Sequence, residues 1–421
     1  MLKRNLYSPF LKNTSIYLCG SLISAGVPFL LLPILTRHLN PSEYGYVSMF
    51  TLLLSIVGVF TGLSVQGSIA REYFNENINF KEFVFNCILL LFISTLCVML
   101  LFLLFIEYIS KWSSLSDYYL YAIVGISFFQ FLSLMVLALY QIQAKAKEYS
   151  FMQIFQSSGT VLLSIFFIVY CEMDWQGRAL AQILTMITIG LVSCKILYKD
   201  WIVIRVNKEY LKIALSFGLP LIPHSLGGTL VVVADRLIIN NSLGVYDVGI
   251  YTAGLQIGKM MSLVTSSISN GYTPIFYKCL NESNDTLKKK IVLLTYIYFI
   301  GLLVLAFIIG FFAPLLVKYI LGKNFFASAN IIFWIALGEA FNGMYLAVVG
   351  YIFYVRKTIG LAIITFVSGM TCIVTTYLLV QIMGIEGAAI AYSISLLTTF
   401  LLTWIYAIKN YKMPWFVGNV K

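Results

Sequence analysis

The stretch LPILTRHLNPSEYG, residues 32–45, ends one apolar run in Arg37-His38, turns through Asn40-Pro41 and starts another apolar run at once. A turn this short between two long apolar runs predicts two adjacent antiparallel membrane helices. Asn40 as N-cap, Pro41 at the first helical position and Glu43 at the third form a helix start, because the cap oxygen and the glutamate satisfy backbone N–H groups that lack an intrahelical acceptor. A related stretch, LGVYDVGI at 243–250, follows the run ADRLIINNS much further along the chain.

The rest of the sequence supports the same reading. Of the 421 residues, 60% are hydrophobic, 16% aromatic and only 11% charged, well away from the make-up of soluble domains. Only helices or closed barrels satisfy all backbone polar groups inside hydrocarbon, and apolar runs of about 20 residues without alternation indicate helices. Twelve such runs are predicted, at roughly 13–36, 45–66, 83–106, 118–140, 151–170, 178–197, 213–239, 248–271, 291–312, 325–350, 358–380 and 387–408. The expected class is therefore an all-α integral membrane protein of twelve transmembrane helices. The first run follows basic residues but is too long for a signal peptide, and it leads directly into another span.

Short loops rich in Lys and Arg face the cytoplasm. With both termini inside, 21 of the 28 Lys and Arg residues fall on the cytoplasmic side, Lys288, Lys289, Lys290, Arg356 and Lys421 among them, while six fall outside and Lys259 lies within a span. The net charge of +11 thus reflects orientation and anionic lipid headgroups rather than nucleic acid. Seven cysteines, scattered and mostly within spans, read as small packing residues rather than disulfides or metal ligands.

An internal duplication is suggested by two weak self-matches. LNPSEYGY (39–46) and LGVYDVGI (243–250) share Leu39/Leu243, Glu43/Asp247 and Gly45/Gly249, while MDWQGRALA (173–181) and MGIEGAAIA (383–391) share Met173/Met383, Gly177/Gly387, Ala179/Ala389 and Ala181/Ala391. The alternative is convergent turn chemistry, with Gly244 and Asp247 opening a helix as Asn40 and Glu43 do. Duplication of a six-helix unit implies two bundles, 1–200 and 201–421, related by a pseudo-two-fold along the membrane normal. Pro28 and Pro33 in the first span, and Pro220 and Pro223 in SFGLPLIPHSLGG (216–228), are candidate hinges, since proline removes a donor and clashes with the preceding turn.

Ionisable groups within spans carry the functional signal, because a charge at the bilayer centre costs about 2.5–3.5 kcal/mol on insertion scales. Lys259 is central to its span, Asp235 and Arg236 lie toward the outer end of the seventh, Glu339 lies in the tenth and Arg37 ends the first. An anion site in an aqueous cleft is one reading, with Arg37, Arg71, Arg236 and Lys259 as substrate contacts and Asp235 and Glu339 as ion-coupling groups or charge partners. A structural Lys259–Asp235 ion pair is the other. No metal or cofactor is expected: histidine occurs only twice, no phosphate-binding glycine loop is present, and no nucleophile stands beside a plausible base. Enzyme chemistry, as in a sugar polymerase or acyltransferase, therefore finds little support.

The segments YLCGSLISAGVPFLLLPILTRHLNPSEYGY (17–46), GLPLIPHSL (218–226), ADRLIIN (234–240) and LGVYDVGIY (243–251) resemble the Wzx-type O-antigen and polysaccharide flippases. These belong to the multidrug/oligosaccharidyl-lipid/polysaccharide (MOP) exporter superfamily. The resemblance implies two six-helix bundles, a cationic lumen and transfer of an undecaprenyl-pyrophosphate-linked oligosaccharide across a bacterial inner membrane to the periplasmic leaflet. Its implied partners are that lipid-linked oligosaccharide, membrane lipids and other polysaccharide-assembly proteins. A cation-coupled drug antiporter of the same superfamily is the alternative, using Asp235 or Glu339 as the titrating group. The first six predicted spans contain no acidic residue of the kind such exporters commonly use there.

Overall fold

The computed structural model describes residues 2–281, 285–355, 357 and 359–415; Arg356 and Lys421, counted above with the cytoplasmic set, lie outside the described residues. Among the described residues the secondary structure is entirely helical. Helices α1 (Leu2–His38), α2 (Pro41–Gly62), α3 (Val65–Glu72), α4 (Phe80–Ser113), α5 (Asp117–Ile142), α6 (Ala146–Ile165) and α7 (Trp175–Asp200) are followed by α8 (Lys208–Ser242). Then come α9 (Val245–Gly258), α10 (Met260–Asn281), α11 (Asp285–Ile320), α12 (Ala329–Tyr354) and α13 (Ile359–Asn410). Among the described residues nine helices are long and apolar enough to cross a membrane, or ten if the two limbs of a broken α8, Lys208–Gly227 and Val232–Ser242, make one span.

The chain forms two compact units, Met1–Leu230 and Val231–Lys421. Their boundary falls inside α8, later than the division after residue 200 drawn from the repeat. The core of the first unit gathers Ile69, Phe83, Leu91, Leu132 and Met135 from α3, α4 and α5. In the second unit Phe276, Val292, Ala336, Val348 and Tyr351 join α10, α11 and α12. Large apolar side chains such as Leu104, Phe311 and Ile382 point outward and are exposed, as hydrocarbon solvent permits.

The turn that opened the sequence reading closes as chemistry requires. Asn40 Oδ1 accepts from the Glu43 backbone N–H at 3.0 Å, and Glu43 Oε2 accepts from the Asn40 N–H at 2.7 Å. The matching start of α9 differs. Gly244 stands at its cap with φ +101° and offers no side-chain acceptor, so Asp247 forms no capping box there.

Helix breaks sit elsewhere than the prolines. α1 is one helix through Pro28 and Pro33, and α8 continues through Pro220 and Pro223 to break only after Gly227. Three further interruptions are marked by backbone. Leu63 (φ 42°) and Ser64 (φ 50°) separate α2 from α3, Lys259 separates α9 from α10, and Gly384 (φ 60°, ψ −139°) kinks α13.

The second self-match has a structural counterpart in each unit. A Cβ on Gly387 would overlap the Leu379 carbonyl oxygen, and a Cβ on Gly177 would lie 3.0 Å from the Phe167 Cβ. Each glycine lets the start of one helix pack on the end of the one before it.

Gly384 adopts a φ/ψ pair that essentially only glycine tolerates, so Gly384→Ala should destabilise by about 1–3 kcal/mol. Gly301, mid-helix with nothing within 4 Å of its missing Cβ, serves as the contrast. Gly301→Ala should be neutral or stabilise by about 0.5–1 kcal/mol. Thermal unfolding of the purified protein in detergent reads both; equal melting temperatures for the two variants would contradict the strained kink.

Candidate functional site

The second unit draws the intramembrane charges of α8, α9, α10 and α12 into one cluster. Asp235 and Arg236 stand on the limb Val232–Ser242, and the turn at Leu243-Gly244 folds α9 back beside it. Asp235 lies eight residues before Leu243 and Tyr251 eight after, which sets them at matching depth on antiparallel helices. The Tyr251 hydroxyl accordingly donates to Asp235 Oδ2 at 2.7 Å. Both residues are buried, Asp235 at 3% exposure and Tyr251 at 0%.

Asp235 also clamps its neighbour. Its Oδ1 accepts from the Arg236 backbone N–H at 2.7 Å and faces Arg236 Nε at 3.5 Å, while Arg236 Nη2 donates to the Val232 carbonyl at 2.7 Å. Arg236 is thus held by its own helix. The aspartate paired in contact is with Arg236, not with Lys259.

Lys259 occupies the interruption between α9 and α10. Its N–H donates to the Leu255 carbonyl at 2.9 Å and its carbonyl accepts from the Ser262 hydroxyl at 2.6 Å, so the break is hydrogen-bonded on both sides. Its ammonium lies over the Tyr392 ring, 5.7 Å from the centroid. Asp235, Glu339 and Arg236 all act on it electrostatically. Among the described residues, however, no carboxylate approaches Lys259 within 4.0 Å.

Tyr392 links that ammonium to the second acid. Its hydroxyl donates to Glu339 Oε1 at 2.6 Å, and Asn342 Nδ2 donates to Glu339 Oε2 at 3.2 Å. Glu339 is 3% exposed, and Gly338 beside it brings the helix against the Tyr392 ring. Two cations, two carboxylates and two tyrosines therefore form one network in which both acids have hydrogen-bond donors, while Lys259 lies over an aromatic face with no carboxylate in contact among the described residues.

The first unit holds the remaining predicted residues. Arg37 ends α1 on an exposed position, remote in sequence from the cluster. Arg71, on α3, is exposed, lies 3.2 Å from Glu72 Oε1 and sits over the Phe217 ring at 5.6 Å. Pro28, Pro220 and Pro223 are exposed and Pro33 is half-buried.

Sequence reasoning missed the tyrosines. Tyr251 was recoverable from its spacing about the turn, whereas Tyr392, 53 residues from Glu339, left no local signal. Arg178 was not among the predicted contacts either. In α7, Arg178 Nη1 is buried with no hydrogen-bond partner among the described residues, beside Tyr44.

Comparisons with known proteins agree with this architecture. The solved lipid II flippase MurJ, in an inward closed conformation, superposes with a TM-score of 0.72 at 13% identity, over 93% of this chain and 87% of that one. An inward-facing multidrug resistance MATE family transporter of the MOP superfamily gives 0.69 at 17% identity, over 91% and 94%. The fold is that shared by these transporters. The Lsg locus putative protein 1 of Haemophilus influenzae is 27% identical over 357 residues, 82% of this chain and 85% of its own length. A family model described as polysaccharide biosynthesis protein matches residues 10–280, well over half the sequence, and the chain belongs to that family of multi-pass membrane proteins.

Proposed function

We propose that this protein moves an undecaprenyl-pyrophosphate-linked oligosaccharide, an O-antigen or related repeat unit, from the cytoplasmic to the periplasmic leaflet of a bacterial inner membrane by alternating access. Both termini lie in the cytoplasm, and the protein catalyses no covalent step. The observation that carries the reading is Lys259, an ammonium at the junction of α9 and α10 with no contacting carboxylate among the described residues. Such a charge is costly in a bilayer unless an anion or water meets it. Membership of a polysaccharide biosynthesis family points the same way.

The physical problem is the passage of pyrophosphate and sugar hydroxyls through hydrocarbon, where unpaired polar groups cost several kcal/mol each. On this reading Lys259 meets a phosphate oxygen, while the polyprenyl tail stays in lipid. Arg37, Arg71 and Arg236 are further anion contacts along the path, and Arg178 joins them, its Nη1 without a hydrogen-bond partner among the described residues and its guanidinium suited to grip phosphate. An inside-negative potential favours outward movement of the anion by about 2.3 kcal/mol per charge per 100 mV. Asp235 and Glu339 are the groups that a coupling proton or cation visits, and Pro28, Pro33, Pro220 and Pro223 are the hinge positions.

Twelve spans in two six-helix bundles remain the proposed layout. At 1.5 Å per residue, the 51-residue stretch Gly360–Asn410 is far longer than the ~30 Å hydrocarbon core, so the kink at Gly384 divides it into two spans. α9 and α10, interrupted at Lys259, together make one.

Export of a lipid-linked oligosaccharide in reconstituted vesicles tests the reading. Loss of a charge-assisted hydrogen bond, about 1.5–3 kcal/mol, predicts that Lys259→Ala slows transport by roughly 10- to 100-fold. Lys259→Arg should recover part of the rate, and Lys289→Ala should be neutral. Wild-type transport by a well-folded Lys259→Ala variant would remove Lys259 from the path. A double exchange, Lys259→Asp with Asp235→Lys, is expected to stay inactive; restored transport would mark a structural pair instead.

Tyr251→Phe removes a donor from buried Asp235 and should destabilise the protein by about 1–3 kcal/mol. Thermal unfolding of this variant beside wild type checks the assignment of that hydrogen bond.

A further inference from the structure

The first unit contains a polar cavity that the charge argument does not use. It lies where α2 stops: Ser64 at the break, Gln66 on α3, Gln130 and Phe131 on α5, Ser225 on α8 and Ser55 on α2 line a space of about 160 Å³. The residues come from the Met1–Leu230 unit alone. Both Gln66 Oε1 and Gln130 Oε1 are buried there without a hydrogen-bond partner among the described residues.

Several features say that this gap is built. Leu63 and Ser64, neither of them glycine, hold positive φ values of 42° and 50°, a conformation of a kind that costs of order 1–3 kcal/mol and persists only where packing enforces it. The packing is present: a Cβ on Gly218 would overlap the Leu63 carbonyl oxygen, so α8 is pressed directly on the break. Phe131 seals the wall against Gly58, whose missing Cβ would lie 3.3 Å from its ring. A buried amide oxygen without a donor costs about 1–3 kcal/mol, and the two glutamines that carry such oxygens both line this cavity.

The chemistry of the lining selects its occupant. No charged side chain takes part, so neither the pyrophosphate nor a carboxylated ligand is matched. The glutamine amides and serine hydroxyls of the lining can both donate and accept, and Phe131 adds an aromatic, apolar side chain. Donor hydroxyls around a ring with an apolar face are the surface of a neutral sugar. The volume fits as well, because a cavity of about 150 Å³ takes one six-membered carbon ring. A bare metal cation would leave most of the space empty and would meet no carboxylate.

We infer that this cavity is a saccharide subsite, in which the amides of Gln66 and Gln130 hydrogen-bond one uncharged sugar residue of the transported glycolipid and so select for the glycan. The inference rests on the transport reading above and adds a specificity determinant to it. Lys259 senses the charged carrier; Gln66 and Gln130 sense what the carrier bears.

The test uses the full chain in vesicles with two probes, undecaprenyl pyrophosphate bearing a neutral trisaccharide and undecaprenyl pyrophosphate bearing no sugar. The readout is the ratio of their transport rates. Wild type should favour the glycosylated probe. Gln66→Leu and Gln130→Leu should each reduce that ratio by about fivefold, and the double variant should bring it near one. Gln66→Asn, which shortens the amide without removing it, should give an intermediate ratio, and melting temperatures within a few degrees of wild type confirm folding. Retention of the wild-type ratio in the folded double variant overturns the subsite while leaving the transport reading intact. A wild-type protein that moves neither probe overturns the transport reading and the subsite with it, a result distinct from the first.

Discussion

A polar group inside hydrocarbon must find a partner, and this constraint decides most of what the structure does. Backbone groups meet it by forming helices. Hydroxyls of Thr36, Thr61, Thr185 and Thr295 meet it by donating to the carbonyl four residues back on their own helix. Asp235 and Glu339 meet it with tyrosine donors. Groups that do not meet it within the described residues stand out, among them the Arg178 guanidinium nitrogen Nη1 and the amide oxygens of Gln66 and Gln130, and the Lys259 ammonium meets it with an aromatic face.

Two of these residues lie at interruptions of helices. Lys259 is itself the break between α9 and α10, while Gln66 follows the left-handed pair Leu63-Ser64. An interruption frees backbone groups that must be satisfied locally or by water, so irregular backbone at membrane depth is tolerated only where protein or a polar cavity surrounds it. The energetic requirement of the backbone and the requirement of a site thus select the same places in the chain.

Much of this was legible in the sequence. The apolar runs announced the class, the Asn40-Glu43 pattern gave its capping box, and the residues around Pro220 to Tyr251 carried the family resemblance. Other features were hidden because they depend on contacts between distant segments. Nothing near Glu339 names Tyr392 as its donor. Composition likewise gives no sign that Arg236 is claimed by the adjacent aspartate while Lys259 is left to Tyr392. The break in α8 follows Gly227 rather than Pro220 or Pro223, since neighbouring groups in a membrane bundle can make good the donor that proline removes. The uncharged cavity escaped notice because a search for intramembrane charge passes over glutamine.

The balance of charge in the cluster bears on how a substrate would leave it. Arg236 and Lys259 oppose Asp235 and Glu339, so the network is neutral with both acids ionised. On the proposed reading, a pyrophosphate at Lys259 would make it net negative in a medium of low dielectric, which weakens binding. A cationic surplus would do the opposite and hold the anion fast. A carrier must release what it binds, and a ligand can shift a conformational equilibrium only by its differential affinity for the two states. On the proposed reading, the two tyrosine-held acids therefore limit the grip of Lys259, which has no carboxylate in contact among the described residues, and keep binding weak enough for turnover.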